Sequence, residues 1–262
     1  MVEDPRQASF AASIKALEGT LEYVLGSSNF FPDFSTDDIK LIKKVQPFTK
    51  TFPERVFALI RAVEYIITSN IPGDIVECGV WRGGSVMAIT HTLLKLGDTN
   101  RDIYLFDTFE GMTQATPEDV SFLGEKAIDT LAQEPKDKDG VWSIWSYASI
   151  EQVKQLLQTT NYPMHKMHFV QGRVEDTIPA QAPERISLLR LDTDWYESTY
   201  HELTHLFPRL SLNGVLIIDD YGHWLGAKKA TDEYIRENNI KIFLNRTDYS
   251  GRIGVKCFET AS

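Results

Sequence analysis

The stretch from Ser187 to Asp220, SLLRLDTDWYESTYHELTHLFPRLSLNGVLIIDD, constrains the fold more than any other part of the chain. It reads as strand, helix, strand. Each strand is a short apolar run ending in two acids: Asp192 and Asp194 after the first, Asp219 and Asp220 after the second. Uninterrupted apolar runs suit parallel strands buried on both faces. A helical crossover then brings both carboxyl ends to one edge of the sheet, where open α/β sheets bind their ligands. Four carboxylates on one rim repel one another unless a cation sits among them or some take up protons. The residue types predict a hard-cation site with oxygen ligands, Mg²⁺ first. The plainer readings are a structural calcium site or solvated strand ends.

Around this unit the apolar and polar periods predict an α/β fold of seven strands. Five are in crossover units (74–78, 103–107, 167–170 and the two acid-tipped strands), and 240–245 with 252–258 close the chain as an antiparallel edge hairpin. Helices are predicted over 7–25, 36–45, 53–69, 85–96, 148–159 and 227–237. Residues 1–72 form an amino-terminal helical extension, as a cap over the site or a subunit interface, and 73–262 form the core. A polar insert at 111–147, with Trp142 and Trp145 at its closing end, is either a lid over a ligand or a surface loop pinned by aromatics.

The net charge of −10 over 262 residues argues against a nucleic-acid partner, because no basic stripe is present to meet phosphates. No apolar run reaches the roughly 18 residues of a membrane span, and no signal peptide is seen. The two cysteines, Cys78 and Cys257, both fall in predicted strands, and the expected setting is a reducing cytoplasm.

Two further motifs bear on chemistry. Glu77-Cys-Gly-Val-Trp-Arg-Gly-Gly-Ser85 sits at the first strand-to-helix turn, where glycines admit close backbone approach and a helix amino end favours negative charge. It is not the dinucleotide fingerprint, since Gly79 is followed by Gly83 and Gly84. The acid before the first glycine suits a ligand with an ammonium group. Asp107, at the end of the next strand, suits ribose hydroxyls. Together they point to an adenosine ligand with an amino-acid tail, such as S-adenosylmethionine; the plainer reading is a structural turn beside a solvated Asp. His201-Glu202-Leu203-Thr204-His205 matches the HExxH pattern of zinc peptidases. Its histidines lie opposite the apolar stripe Leu203, Leu206, Phe207 and Leu210, so a solvated face is expected. His223, close behind Asp220, borders the acid rim or is a plain loop histidine.

ECGVWRGGS, LFDTFEGM, QGRVEDTIP and RLDTD…IIDDY, in this order, resemble the macrocin O-methyltransferase family, which methylates sugar hydroxyls of macrolide and related antibiotics. The resemblance runs from about Pro47 to Tyr234. It implies a class I methyltransferase fold, S-adenosylmethionine as donor and Mg²⁺ as activator. By the same resemblance the metal ligands are Asp192, Asp219 and Asp220, and the general base is Asp194. The donor pocket takes in Glu77, Gly79, Trp81, Gly83, Gly84, Ser85 and Asp107, with Ser149, Gly172 and Asp176 carried over from neighbouring turns. The implied acceptor is a small hydroxylated molecule, foremost a glycosylated secondary metabolite, and a homo-oligomer is expected. The rivals are a metal-dependent hydrolase using the acids or the HELTH helix, and a nucleotide-binding module without activity.

Overall fold

A computed structural model describes residues 33–134 and 143–258. The expected helix over 7–25 and Trp142 lie outside the described residues. Two units separate at Lys44/Val45. In the first, α1 (Thr36–Val45) begins behind Ser35. The Ser35 hydroxyl accepts from the Asp38 N–H, and the Asp38 carboxylate accepts from the Ser35 N–H, which satisfies two otherwise orphaned donors.

The second unit is built on a seven-stranded sheet of order β3-β2-β1-β4-β5-β7-β6. Its strands are β1 (Asp74–Cys78), β2 (Ile103–Asp107), β3 (Met167–Gln171), β4 (Ile186–Leu191), β5 (Leu210–Ile218), β6 (Asn245–Arg246) and β7 (Arg252–Val255). The first five run parallel, and β7 is antiparallel to both β5 and β6. The expected closing hairpin is present, with β7 inserted between β5 and the two-residue β6. The run Ile240–Leu244 is not a strand: Ile240, Ile242 and Leu244 pack on the core without joining the ladder. Cys257 correspondingly lies beyond β7, exposed, whereas Cys78 is buried in β1; both are free thiols.

Alternation along the strands divides the chemistry between the two faces. Val76, Cys78, Leu189, Leu191, Leu216 and Ile218 join a core cluster with Leu203, Leu206 and Tyr234. Those last residues come from α7 (Tyr196–Leu206) and α8 (Leu225–Glu237). Each such side chain withdrawn from water contributes about 1.5–3 kcal/mol. The opposite face carries Glu77 and Arg190, which are register partners across β1 and β4. Helix α2 (Pro53–Thr68) contacts β4, β5 and α3 (Gly84–Lys95), so it belongs to this unit, although the sequence grouped it with the extension.

The register sets the rim. Cys78 stands beside Phe106 and Leu191, and Leu191 beside Ile218. Gly79, Asp107, Asp192 and Asp219, the next residues along their strands, therefore come level. The ladder continues one step beyond the strands, through Gly79 N–H to Phe106 (2.9 Å), Asp192 N–H to Cys78 (2.9 Å) and Asp219 N–H to Leu191 (2.9 Å). β1 and β4 flank the point where strand order reverses, the usual ligand crevice of such sheets.

The insert folds back on this edge. Met112 N–H donates to the Trp145 carbonyl at 2.8 Å, closing its base. It contributes a helix, α4 (Ala127–Gln133), and Ala115, Ala127 and Leu131 pack with Trp195, Trp224 and Trp145. The described part of the insert thus rests on aromatic side chains.

Candidate active site

Asp192, Asp194 and Asp220 come together. One carboxylate oxygen from each lies within 4.8 Å of the others. Their placement follows from short-range features. Asp192 is fixed by the extended ladder. Asp194 turns back with φ of 68°, in the left-handed region that costs a non-glycine residue about 1–3 kcal/mol. Its N–H donates to an Asp220 carboxylate oxygen at 3.1 Å. Behind the loop the Thr193 hydroxyl donates to Glu202 at 2.9 Å. Burial and the neighbouring acids push Asp192 and Asp220 well above the ordinary carboxylate range. Asp194 rises to about 7, chiefly through burial, while its bond to Asp220 and the charge of Lys50 pull the other way.

Asp219, which the resemblance counts among the metal ligands, is arranged differently. One of its carboxylate oxygens accepts from Arg190 at 2.8 Å and the other from Arg55. Asp194 takes the third place in the cluster instead. Arg190 also bonds Glu77 at 2.6 Å, the Thr51 hydroxyl at 2.8 Å and Asp192 at 2.8 Å. Arg55 further holds Asp248 at 2.9 Å. These two guanidiniums hold Asp219 below its ordinary value against the cost of burial.

The glycine turn is shaped by chain-on-chain approach. A Cβ at Gly79 would stand 1.9 Å from the Asp192 carbonyl oxygen, and one at Gly84 2.6 Å from the Phe48 backbone. Gly83, at φ of 87°, precedes α3 as its cap, and the Ser85 hydroxyl is buried 3.5 Å from Thr49. Asp107 accepts from the N–H groups of Val80 (2.7 Å), Trp81 (3.0 Å) and Phe109 (2.7 Å), so it clamps the turn itself. Burial nonetheless raises its carboxyl above the ordinary value. Glu77 is fully buried and is pushed up to about 7 by that burial, opposed by Arg190. Its second carboxylate oxygen and the Trp81 indole N–H are buried with no partner among the described residues. Two orphaned polar atoms beside a glycine turn fit a ligand that brings both a donor and an acceptor.

The neighbouring carry-overs are more distant in role. The Ser149 hydroxyl caps α5 (Ile150–Gln158), accepting from Gln152 N–H at 3.3 Å. Gly172 donates its N–H to the Asp107 carbonyl at 3.0 Å, and Asp176, in the short α6 (Val174–Thr177), is exposed.

The HELTH helix separates its own motif. His201 bonds the Ile178 carbonyl at 3.0 Å, and its ring lies tilted against that of His205, with centroids 4.4 Å apart. Glu202 is fully buried on the other side, under Thr193. Both histidines are half-buried and His201 is tied to the backbone, so this face is less solvated than the apolar stripe suggested.

Sequence reasoning missed Lys50, Arg55 and Arg190, and met Glu202 only as part of the HELTH motif. Lys50 reaches the insert, donating to the Ser143 carbonyl at 2.7 Å and the Ser146 hydroxyl at 2.8 Å, and its ammonium lies 5.0 Å from the Trp81 ring centre. Burial brings it down to about 8, against the pull of Asp194 and Asp192. A signal existed for Arg190: a charge in the middle of SLLRL demands a buried counter-ion, and DIVEC offers one. Nothing in the sequence marks Lys50.

Comparison with known proteins identifies the family. A profile of the macrocin O-methyltransferase (TylF) family matches residues 45–253. The 8-demethyl-8-(2,3-dimethoxy-α-L-rhamnosyl)-tetracenomycin-C 4′-O-methyltransferase of Streptomyces olivaceus is 32% identical, over 84% of this chain and 82% of its own. The demethyldecarbamoylnovobiocin O-methyltransferase of Streptomyces niveus is 28% identical, over 91% and 89%. Among solved structures, the O-methyltransferase NovP superposes with a TM-score of 0.70 at 28% identity, covering 80% of this chain and 82% of NovP. The calicheamicin methyltransferase CalS11, with a TM-score of 0.60 at 16% identity over 97% and 94% of the chains, shares the fold. The chain is therefore an O-methyltransferase and belongs to the macrocin O-methyltransferase family.

Proposed function

We propose that the chain transfers a methyl group from S-adenosylmethionine to a sugar hydroxyl of a glycosylated natural product, assisted by a divalent cation, Mg²⁺ first. The observation that carries this reading is the convergence of Asp192, Asp194 and Asp220 within 4.8 Å at the strand ends beside the glycine turn. Asp192 and Asp220, hard oxygen donors that burial and neighbouring acids push above the ordinary carboxylate range, fit a cation, with Asp194 beside them. Asp192 and Asp220 would hold it, and Asp219, fixed by two arginines, anchors the strand end that presents Asp220.

When bound, the donor supplies an electrophilic methyl carbon and the cation acidifies and aims the acceptor hydroxyl. The remaining work falls to the chain. Asp194 would take the proton of the acceptor hydroxyl as its oxygen receives the methyl group. Glu77 and Trp81 have the orphaned atoms to orient the amino-acid end of the donor, and Asp107 keeps one acceptor site on Oδ1, contested only by the Thr108 hydroxyl at 3.5 Å, for the ribose. Trp195 and Trp224, packed under the insert, keep bulk water from that side.

The sugar acceptor rests on the relatives, one of which is named for a rhamnosyl-bearing tetracenomycin. A cytoplasmic setting fits the free thiols, and self-association through the amino-terminal helical extension belongs to the same reading, to be read by sedimentation velocity. The test is a screen of glycosylated and phenolic acceptors with labelled donor, with and without Mg²⁺. Labelled product from a glycosylated acceptor is expected. A hydrolase would give no heat on calorimetric titration with S-adenosylmethionine, and that outcome would overturn the proposal.

A further inference from the structure

Beside the acids lies an aromatic shelf that the methyl-transfer chemistry leaves unused. Phe122, Leu123, Leu225 and Tyr249 are 50%, 61%, 46% and 39% exposed, which is unusual for side chains so large. They share one corner. Phe122 N–H donates to the His223 carbonyl at 2.8 Å, and Leu225 N–H to the Val120 carbonyl at 2.8 Å. The Phe122 ring lies 5.6 Å from the His223 ring and 5.8 Å from Tyr249, and Tyr249 lies 5.7 Å from Phe52. Singly exposed apolar residues need no explanation, but a contiguous patch marks a binding surface.

The shelf is continuous with the acid cluster. His223 N–H donates to the Asp220 carbonyl at 2.9 Å, and the Ser250 hydroxyl, next to Tyr249, to the Asp219 carbonyl at 2.6 Å. The Tyr249 hydroxyl and His223 Nδ1 are 3.2 Å apart and satisfy each other, so the ring faces are presented without a free charge. A ligand whose hydroxyl is held at the acids would lay its adjoining portion across these rings. Offset or edge contacts to aromatic faces favour a flat, apolar body over a second sugar.

We infer that Phe122, Tyr249, His223 and Phe52 form a subsite for the aglycone of the acceptor, and that this aglycone is aromatic or otherwise planar and apolar. The inference rests on the proposed sugar O-methyltransferase reading and adds the chemical class of the group next to the sugar.

Calorimetric titration with 1-naphthyl α-L-rhamnoside and methyl α-L-rhamnoside tests it on the full chain. The naphthyl glycoside is expected to bind roughly tenfold tighter or more. Phe122→Ser and Tyr249→Ser should bring the ratio toward one, while Tyr249→Phe, which keeps the ring, should preserve the preference. Circular dichroism confirms that each variant is folded. Equal affinity for the two glycosides, or binding of neither, overturns the aglycone subsite. So does a Phe122→Ser variant that keeps the preference but converts an oligomer to a monomer in sedimentation, which would make the shelf a subunit contact. Formation of S-adenosylhomocysteine across a wider set of glycosylated acceptors decides the methyl-transfer reading separately.

Discussion

Asp194 has the clearest residue-scale assignment. It sits in a left-handed backbone conformation, bonded through its N–H to Asp220, with a carboxyl poised to about 7. Asp194→Asn keeps the shape and removes the base. Turnover should fall by about 10²- to 10⁴-fold with Mg²⁺ affinity nearly unchanged, as read by steady-state kinetics beside calorimetry. Loss of Mg²⁺ binding in this variant would make Asp194 a ligand instead. Glu202 acts one step back, through Thr193. Glu202→Gln retains an acceptor for the Thr193 hydroxyl, whereas Glu202→Leu leaves that hydroxyl without one. We predict about tenfold weaker Mg²⁺ binding for the leucine variant and near-native binding for the glutamine variant, an order of magnitude set by one lost buried hydrogen bond. Equal loss in both would show that only the packing of Glu202 matters.

At the scale of elements, Lys50 ties the loop before α2 to the closing end of the insert, through Ser143 and Ser146. Lys50→Met preserves the apolar stem over Trp81 and removes the donor. Hydrogen exchange should rise in residues 143–147 while β1 and β4 stay protected, and acceptor KM should rise more than donor KM. Unchanged exchange there would mean that the Met112–Trp145 closure and the tryptophan packing suffice. The legibility of the chain divides along the same lines. β1, β2 and the acid-tipped β4 and β5 were evident because each is an apolar run bounded by turn residues, and their parallel register brings the acids to one rim. Ile240–Leu244 misled because its alternation serves packing, not pairing. The Glu77–Arg190 bridge joins residues 113 apart; the charge within SLLRL called for a partner, and the β1–β4 register is what selects Glu77. Lys50 and Arg55 enter the site from outside the strands, through loop and helix packing that leaves no local pattern. Asp219 was grouped correctly at the rim, but its carboxylate partners depended on those two unseen arginines.

For the molecule as a whole, the network of Arg55 and Arg190 with Glu77, Asp192, Asp219 and Asp248 couples folding to the site. Breaking such a buried pair from one side typically costs about 3–5 kcal/mol. Glu77 adds a pH dependence whose sign is fixed. Its folded carboxyl stands near 7, above the usual 4.5, so the folded state retains a proton that the unfolded chain has released. The associated stability is present below about pH 4.5 and is lost as pH rises through 7. Glu77→Gln cannot titrate, and its thermal or urea stability should therefore fall less than the native chain's between pH 5 and pH 7.5, by roughly 1–3 kcal/mol. Parallel curves for the two proteins would place the Glu77 proton elsewhere.

The central claim, that Asp192, Asp194 and Asp220 act on the hydroxyl as one cation-assisted site, is tested most directly by following S-adenosylhomocysteine with a responsive glycosylated acceptor during chelation and Mg²⁺ re-addition, in the native chain and in Asp220→Asn. The three-carboxylate site predicts that activity disappears on chelation, returns with Mg²⁺ in the native chain, and fails to return at the same Mg²⁺ concentration in the variant. Full turnover in the presence of chelator, or equal recovery in both proteins, would contradict it.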